Sequence, residues 1–187
     1  MVRWATPALL MGFLVSVAVP LQAEDLKTPL AVGDQAPDVT WQALKGPKVQ
    51  LSALAKKGPV VLVVLRGYPG YQCPLCTRQV GELLGAADEL AKTKANVVLV
   101  YPGPRANLKQ RAAEFYQNKT IPDHFHLVLD PDLKFTKQYG LWWNAPRETA
   151  YPSTFVIDSN GKVTYALISD GHGGRSKPSD VLKAIPR

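Results

Sequence analysis

The only two cysteines of this 187-residue chain stand three apart, as Cys73-Pro74-Leu75-Cys76. A pair at that spacing can close a short disulfide, supply half of a metal site, or exchange electrons with another sulfur. Its surroundings favour the last. The pair follows residues 60–65, an unbroken run of Val and Leu that reads as a strand covered on both faces. It opens residues 76–94, where Val80, Leu83, Leu84, Ala87, Leu90 and Ala91 recur at spacings of 3 and 4 and make one apolar helical stripe. A helix start presents unpaired backbone N–H groups and the positive end of the macrodipole. A thiolate there is stabilised and its pKa falls. Thiol–disulfide chemistry is therefore the expectation.

Three other readings compete with it. A structural zinc site takes four protein ligands, and the chain has no further Cys, while His124, His126 and His172 are distant in sequence. No metal is expected. A purely structural disulfide across so short a loop constrains the unfolded chain little. Two inert thiols would be paired in an oxidising compartment. Export to such a compartment is expected from residues 1–23. Arg3 is followed by an apolar stretch over 8–19 and a small residue, Ala23, as in a cleaved secretory signal. Twelve apolar residues are short for a bilayer span. The signal contains no Cys, which disfavours a lipid anchor. The bacterial periplasm is the expected location, with an uncleaved anchor as the alternative.

Residues 24–187 then form one domain, large enough to bury its own core. The composition, 46% apolar and 20% charged, excludes disordered, collagen-like and polytopic membrane classes. The net charge of +7 comes from scattered bases without a dense Lys/Arg run, so no nucleic-acid partner is expected.

The elements that must position the cysteines alternate. Residues 38–42 read as a half-exposed strand. Residues 51–57 read as a helical turn, with Ser52 available as its cap. Residues 96–101 and 127–129 read as strands, and 105–117 as a more polar helix. Residues 131–139 read as a helix capped by Asp130 and stopped by Gly140. Residues 151–157 and 162–168 form a hairpin about Asn160-Gly161. Residues 178–185 close the chain as a helix. Residues 141–150 read as a loop that tucks Trp142 and Trp143 into the body. The order β-α-β-α-β, then β-β-α, describes one α/β domain.

These segments resemble the alkyl hydroperoxide reductase/thiol-specific antioxidant (AhpC/TSA) family, the peroxiredoxins of the thioredoxin-like superfamily. Val32-Gly33-Asp34-Gln35-Ala36-Pro37-Asp38, Leu51-Ser52-Ala53-Leu54, residues 60–77, 130–140 and 153–161 carry the likeness. The resemblance implies a thioredoxin-like fold with a central mixed β-sheet flanked by helices. It implies a peroxidatic cysteine at the end of a Pro-x-x-x-Thr-x-x-Cys pattern. Pro69 and Cys76 have that separation, and Thr77 and Gln79 resemble the continuation found in some members. Cys73 stands where the family has its Thr, and Pro152 where it has the Arg that stabilises the thiolate and the leaving oxygen. In thioredoxins a cis-proline lies at that place, so Pro152 is expected to be cis. Arg147 and Arg66 are candidates for the missing cation.

Two mechanisms use the same two sulfurs. In the peroxidase reading Cys76 attacks hydrogen peroxide or an alkyl hydroperoxide, and Cys73 condenses with the sulfenic acid. Pro69 shapes the pocket and shields the sulfenate, and a thiol donor such as a thioredoxin-like protein reduces the disulfide. In the exchange reading Cys73 attacks a partner's disulfide and Cys76 resolves the mixed disulfide. A redox-inactive interaction module is the third class. No cofactor is expected. Family members commonly pair, which keeps a homodimer among the expectations.

Overall fold

The computed structural model describes residues 28–186 together with Met1. The leader expected over residues 1–23 lies, Met1 apart, outside the described residues. In chain order the elements are β1 (Thr40–Ala43), β2 (Val49–Gln50), α1 (Leu51–Ala55), β3 (Val60–Val64), α2 (Pro74–Gly85) and α3 (Ala87–Lys92). There follow β4 (Asn96–Gly103), α4 (Leu108–Tyr116), β5 (Phe125–Pro131), α5 (Lys134–Gln138), β6 (Ser153–Ile157), β7 (Val163–Ile168) and α6 (Pro178–Ala184). The strands form one mixed sheet in the order β2-β1-β5-β4-β3-β6-β7. The strands β3, β4 and β5 are parallel, and β1, β6 and β7 run antiparallel to their neighbours.

The apolar run that opens on Val60 does what its composition demands. Side chains alternate across a strand. Val61, Val63 and Leu65 enter one core with Val80, Leu83 and Leu90, while Val60, Leu62 and Val64 enter the other with Leu54, Phe135 and Phe155. The cysteines belong to the first core, on the α2 side.

The helix expected over residues 76–94 is two helices. The first begins two residues earlier, at Pro74, whose missing N–H costs nothing in the first turn. The break falls at Ala86 (φ −101°, ψ 13°), after Gly81 and Gly85, each about 1 kcal/mol worse than Ala in a helix. Val80, Leu83, Ala87 and Leu90 are buried across the break, whereas Leu84 is half-buried and Ala91 exposed. Gln50, not Ser52, precedes α1, and Asp38 satisfies that end by accepting from the Ser52 N–H (2.9 Å) and hydroxyl (2.8 Å). Pro131 ends β5 rather than opening a helix, because its backbone continues the parallel register opposite Gly103. Asp130 still serves α5: its carboxylate accepts from the Phe135 and Thr136 N–H groups at 2.8 and 2.9 Å. The two-residue β2 gave no periodic signal because it is too short to show one.

The hairpin of β6 and β7 pairs Thr154 with Leu167, and Gly161 closes its turn at φ +82°. The expectation of a cis bond before Pro152 is corrected: no described peptide bond is cis. The trans bond is the ordinary ground state for X–Pro. It feeds the chain straight into the ladder, where the Pro152 carbonyl accepts from Ser169 N–H at 2.9 Å. Trp142 is corrected too. It is 43% exposed, with the Lys137 ammonium 4.8 Å above its ring, while Trp143 stacks on Tyr151.

Candidate active site

The three parallel strands end on one edge, where open α/β sheets commonly place their ligands. There β3 runs through Leu65 and Arg66 into a loop of residues 67–72 that delivers Cys73 to the start of α2. The loop is pinned against β4. Tyr68 N–H donates to Pro102 O at 2.9 Å. Gly67 lies so close to Pro102 that a side chain would overlap its carbonyl. Tyr101 OH donates to Gln72 Oε1 at 2.7 Å, and Gln72 Nε2 donates to Arg111 O at 2.9 Å. The residue before the first cysteine is therefore held from both ends.

Cys73 is the N-cap of α2, with Sγ accepting from Cys76 N–H at 3.3 Å. Both cysteines are free and buried, 4% and 1% exposed, and their sulfurs are 2.7 Å apart. Cys76 Sγ accepts from Arg66 N–H at 3.3 Å and faces Arg175 Nη2 at 3.8 Å. The pair holds its last proton tightly. The Cys76 thiol hydrogen bond pushes Cys73 down to about 6, against its burial and with help from the Cys76 N–H and the charges of Arg175 and Arg66. The same hydrogen bond, then burial and the Cys73 charge, push Cys76 up.

Arg66 is buried, and its guanidinium does not face the sulfurs. It forks onto Glu148 (Nη2 to Oε1, 2.7 Å), donates to Tyr71 OH and stacks over the Tyr71 ring, and donates to Arg147 O at 2.8 Å. Arg66 serves Cys76 through its backbone N–H. Burial pushes the Glu148 carboxyl up, but Arg66 and His172 outweigh it and hold the group below the usual range. His172 Nε2 lies 3.0 Å from Glu148 Oε1, so one carboxylate ties the strand end to two loops.

The remaining expected residues surround this centre at differing removes. The Arg147 side chain is exposed; the residue lines a cavity of about 310 Å³ with Pro69, Pro104, Leu133, Glu148 and Thr149. Thr77 bonds to Cys73 O through both N–H (3.1 Å) and hydroxyl (3.2 Å), which fixes the first turn rather than a sulfur. Pro152 is buried and extends the register in which Ser153 pairs with Val64, beside the end of β3. Among the described residues no three His, Cys, Asp or Glu side chains converge as a metal site needs. Sequence reasoning missed Arg175 and Glu148. Arg175 lies 99 residues from Cys76 in a loop that carries no pattern. Glu148 was one step away from Arg147, and only the fold shows which of the neighbours turns inward.

The family model of the AhpC/TSA family matches residues 32–166. Peroxiredoxin Bcp of Escherichia coli K12 is 27% identical over 144 residues, 74% of this chain and 86% of the relative. Thiol-disulfide oxidoreductase ResA of Geobacillus thermodenitrificans is 29% identical over 138 residues, 73% of this chain and 69% of the relative. Among solved structures, peroxidoxin BcpB from Mycobacterium tuberculosis superposes with a TM-score of 0.62 at 24% identity, covering 82% of this chain and 94% of that one. Mycobacterium tuberculosis AhpC superposes with a TM-score of 0.66 at 18% identity, covering 83% and 95%. These two likenesses establish the thioredoxin-like fold.

Proposed function

The chain belongs to the AhpC/TSA family, and from that premise we propose that it is an exported thiol-dependent peroxidase that reduces hydrogen peroxide or alkyl hydroperoxides through Cys76 and Cys73. The observation that carries this reading is the burial of both cysteines beside a cationic, N–H-lined sulfur site. A small peroxide can reach a sulfur that a folded protein's disulfide cannot. Cys76 passes its proton to Cys73, 2.7 Å away, and its thiolate attacks the terminal peroxide oxygen. The S–O bond forms as the O–O bond breaks, and the alcohol or water leaves with the proton that Cys73 carried. The Cys73 thiolate then displaces hydroxide from the Cys76 sulfenic acid and closes the disulfide. An external dithiol, such as a thioredoxin-like protein, returns the pair to the reduced state. Pro69 borders the approach, and the buried Arg66–Glu148 pair fixes the N–H that faces Cys76.

A specific observation favours the exchange reading as the alternative. Cys73 caps α2 and its thiol is pushed down to about 6, as an attacking thiol needs, and ResA is a relative. One experiment separates the two. Reduced Cys73→Ser protein receives one equivalent of hydrogen peroxide with dimedone, and intact mass is followed in time. Labelling at Cys76 far faster than free cysteine is expected. Labelling at the free-cysteine rate, together with disulfide closure by peroxide in the reduced parent chain no faster than that rate, would sink the peroxidase and leave Cys73 as the leading nucleophile of an exchange enzyme.

A further inference from the structure

The N-terminal ends of the parallel strands, opposite the cysteines, gather bases that are scattered in the sequence. Val60 of β3 stands opposite Asn96 of β4, and Val97 opposite Phe125 of β5. Lys57 precedes β3, Lys94 precedes β4 and His124 precedes β5. Gly58 approaches the Lys94 carbonyl so closely that a side chain would overlap it. Burial, then the charges of Lys57 and His124, push the half-buried His126 down. The adjoining turn between β1 and β2, Lys45-Gly46-Pro47-Lys48, is exposed throughout, and Lys119 follows the end of α4. Asp123 is the one acid in these segments. Other acids stand beside them without cancelling the charge. Asp34 and Asp158 turn their carboxylates onto backbone N–H groups of their own turns, and Asp88 and Glu89 lie on the first turn of α3.

The same end holds a cavity of about 720 Å³, whose lining includes Lys45, Lys119 and His126 together with the buried Leu44, Tyr116 and Phe125. Ammonium groups around an apolar hollow complement an amphiphile with an anionic head. Lysine suits the task, because its apolar stem lies along the hollow while its charge reaches the headgroup. Nucleic acid asks for a basic groove with aromatic faces open for stacking, and Tyr116 and Phe125 are buried. We propose that this end of the molecule docks on an anionic phospholipid surface, with the lysines among the headgroups and the cavity open to an acyl chain. The cysteines, at the opposite edge of the sheet, then face away from the lipid. The inference does not depend on which reaction they catalyse.

The test is sedimentation of the full chain with vesicles of about 30% phosphatidylglycerol in phosphatidylcholine, beside vesicles of phosphatidylcholine alone. The neutral vesicles report uptake that owes nothing to charge. Binding to the anionic vesicles is expected to be tighter by about 100-fold. The triple variant Lys45→Gln, Lys57→Gln, Lys94→Gln is expected to lose about 100-fold, at about 5-fold per lysine. The triple variant Lys109→Gln, Lys134→Gln, Lys177→Gln removes the same charge from elsewhere and is expected to stay within about 3-fold of the parent. All six side chains are exposed, so neither variant unfolds the chain. Equal losses in the two variants would reduce the effect to net charge and overturn the proposal, as would equal uptake by neutral and anionic vesicles. Tighter binding to duplex DNA than to the anionic vesicles at the same salt would also overturn it and give the face to nucleic acid. Iodoacetamide is expected to alkylate the reduced cysteines equally with and without the anionic vesicles. Slower alkylation on the vesicles would put the cysteine end against the lipid and overturn the docking geometry.

Discussion

At 2.7 Å the sulfurs of Cys73 and Cys76 compete for one proton, and Cys73 yields its own first because Cys76 donates to it. Iodoacetamide alkylation of the reduced chain should therefore rise with pH through about 6 and level off above it. Below that pH both thiols are protonated and the rate falls tenfold per pH unit. Cys76→Ala removes the donor, so the midpoint should move up towards the ordinary thiol range, read as alkylation rate against pH. A second test at this scale concerns Glu148. Replacing it with Ala leaves the buried Arg66 guanidinium without its counter-charge and should cost about 3 kcal/mol in urea unfolding. Because the same carboxylate reaches His172, the variant should also loosen residues 170–175, measured as faster amide exchange there.

The strand end, the 67–72 loop and the start of α2 work as one element. Gly67 at φ +70° has Pro102 O where a Cβ would sit, so Gly67→Ala should destabilise by more than about 2 kcal/mol, seen as a lower Tm. The same variant should slow Cys76 oxidation by displacing the Arg66 N–H. Much of this element was legible in advance. The buried run from Val60, the cysteines after it and the apolar stripe on α2 follow from periodicity and apply within a few residues. The break at Ala86 lies in Gly81 and Gly85, whose cost was outweighed in the pattern by an unbroken stripe. Arg175 was not legible, since any of 22 Lys and Arg residues could be carried to the sulfur by a loop. The cation candidates Arg66 and Arg147 mark the boundary well. Local sequence marks a charge near the motif, but only packing decides that one serves through its backbone and the other faces solvent.

For the molecule as a whole, the site sits on a sheet whose central strands are buried on both faces, and both cysteines stand at the start of one helix, Cys73 as its N-cap and Cys76 in its first turn. A disulfide needs its sulfurs near 2.05 Å. With both sulfurs already 2.7 Å apart at the start of α2, closing it is expected to shift the first turn of that helix and little else. Oxidised and reduced protein should therefore share a far-UV CD spectrum and a hydrodynamic radius, with exchange differences confined to residues 73–77. Partners fixed on such a frame react as if each met the other at about 10⁵ M or above. A millimolar oxidant is then about 10⁸-fold too dilute, at equal intrinsic reactivity, to reach the sulfenic acid before Cys73 does. In the peroxidase cycle proposed above, the rigid pairing of the two sulfurs acts as a kinetic guard: it would end each turnover at the disulfide, one rung short of irreversible damage, even at millimolar peroxide.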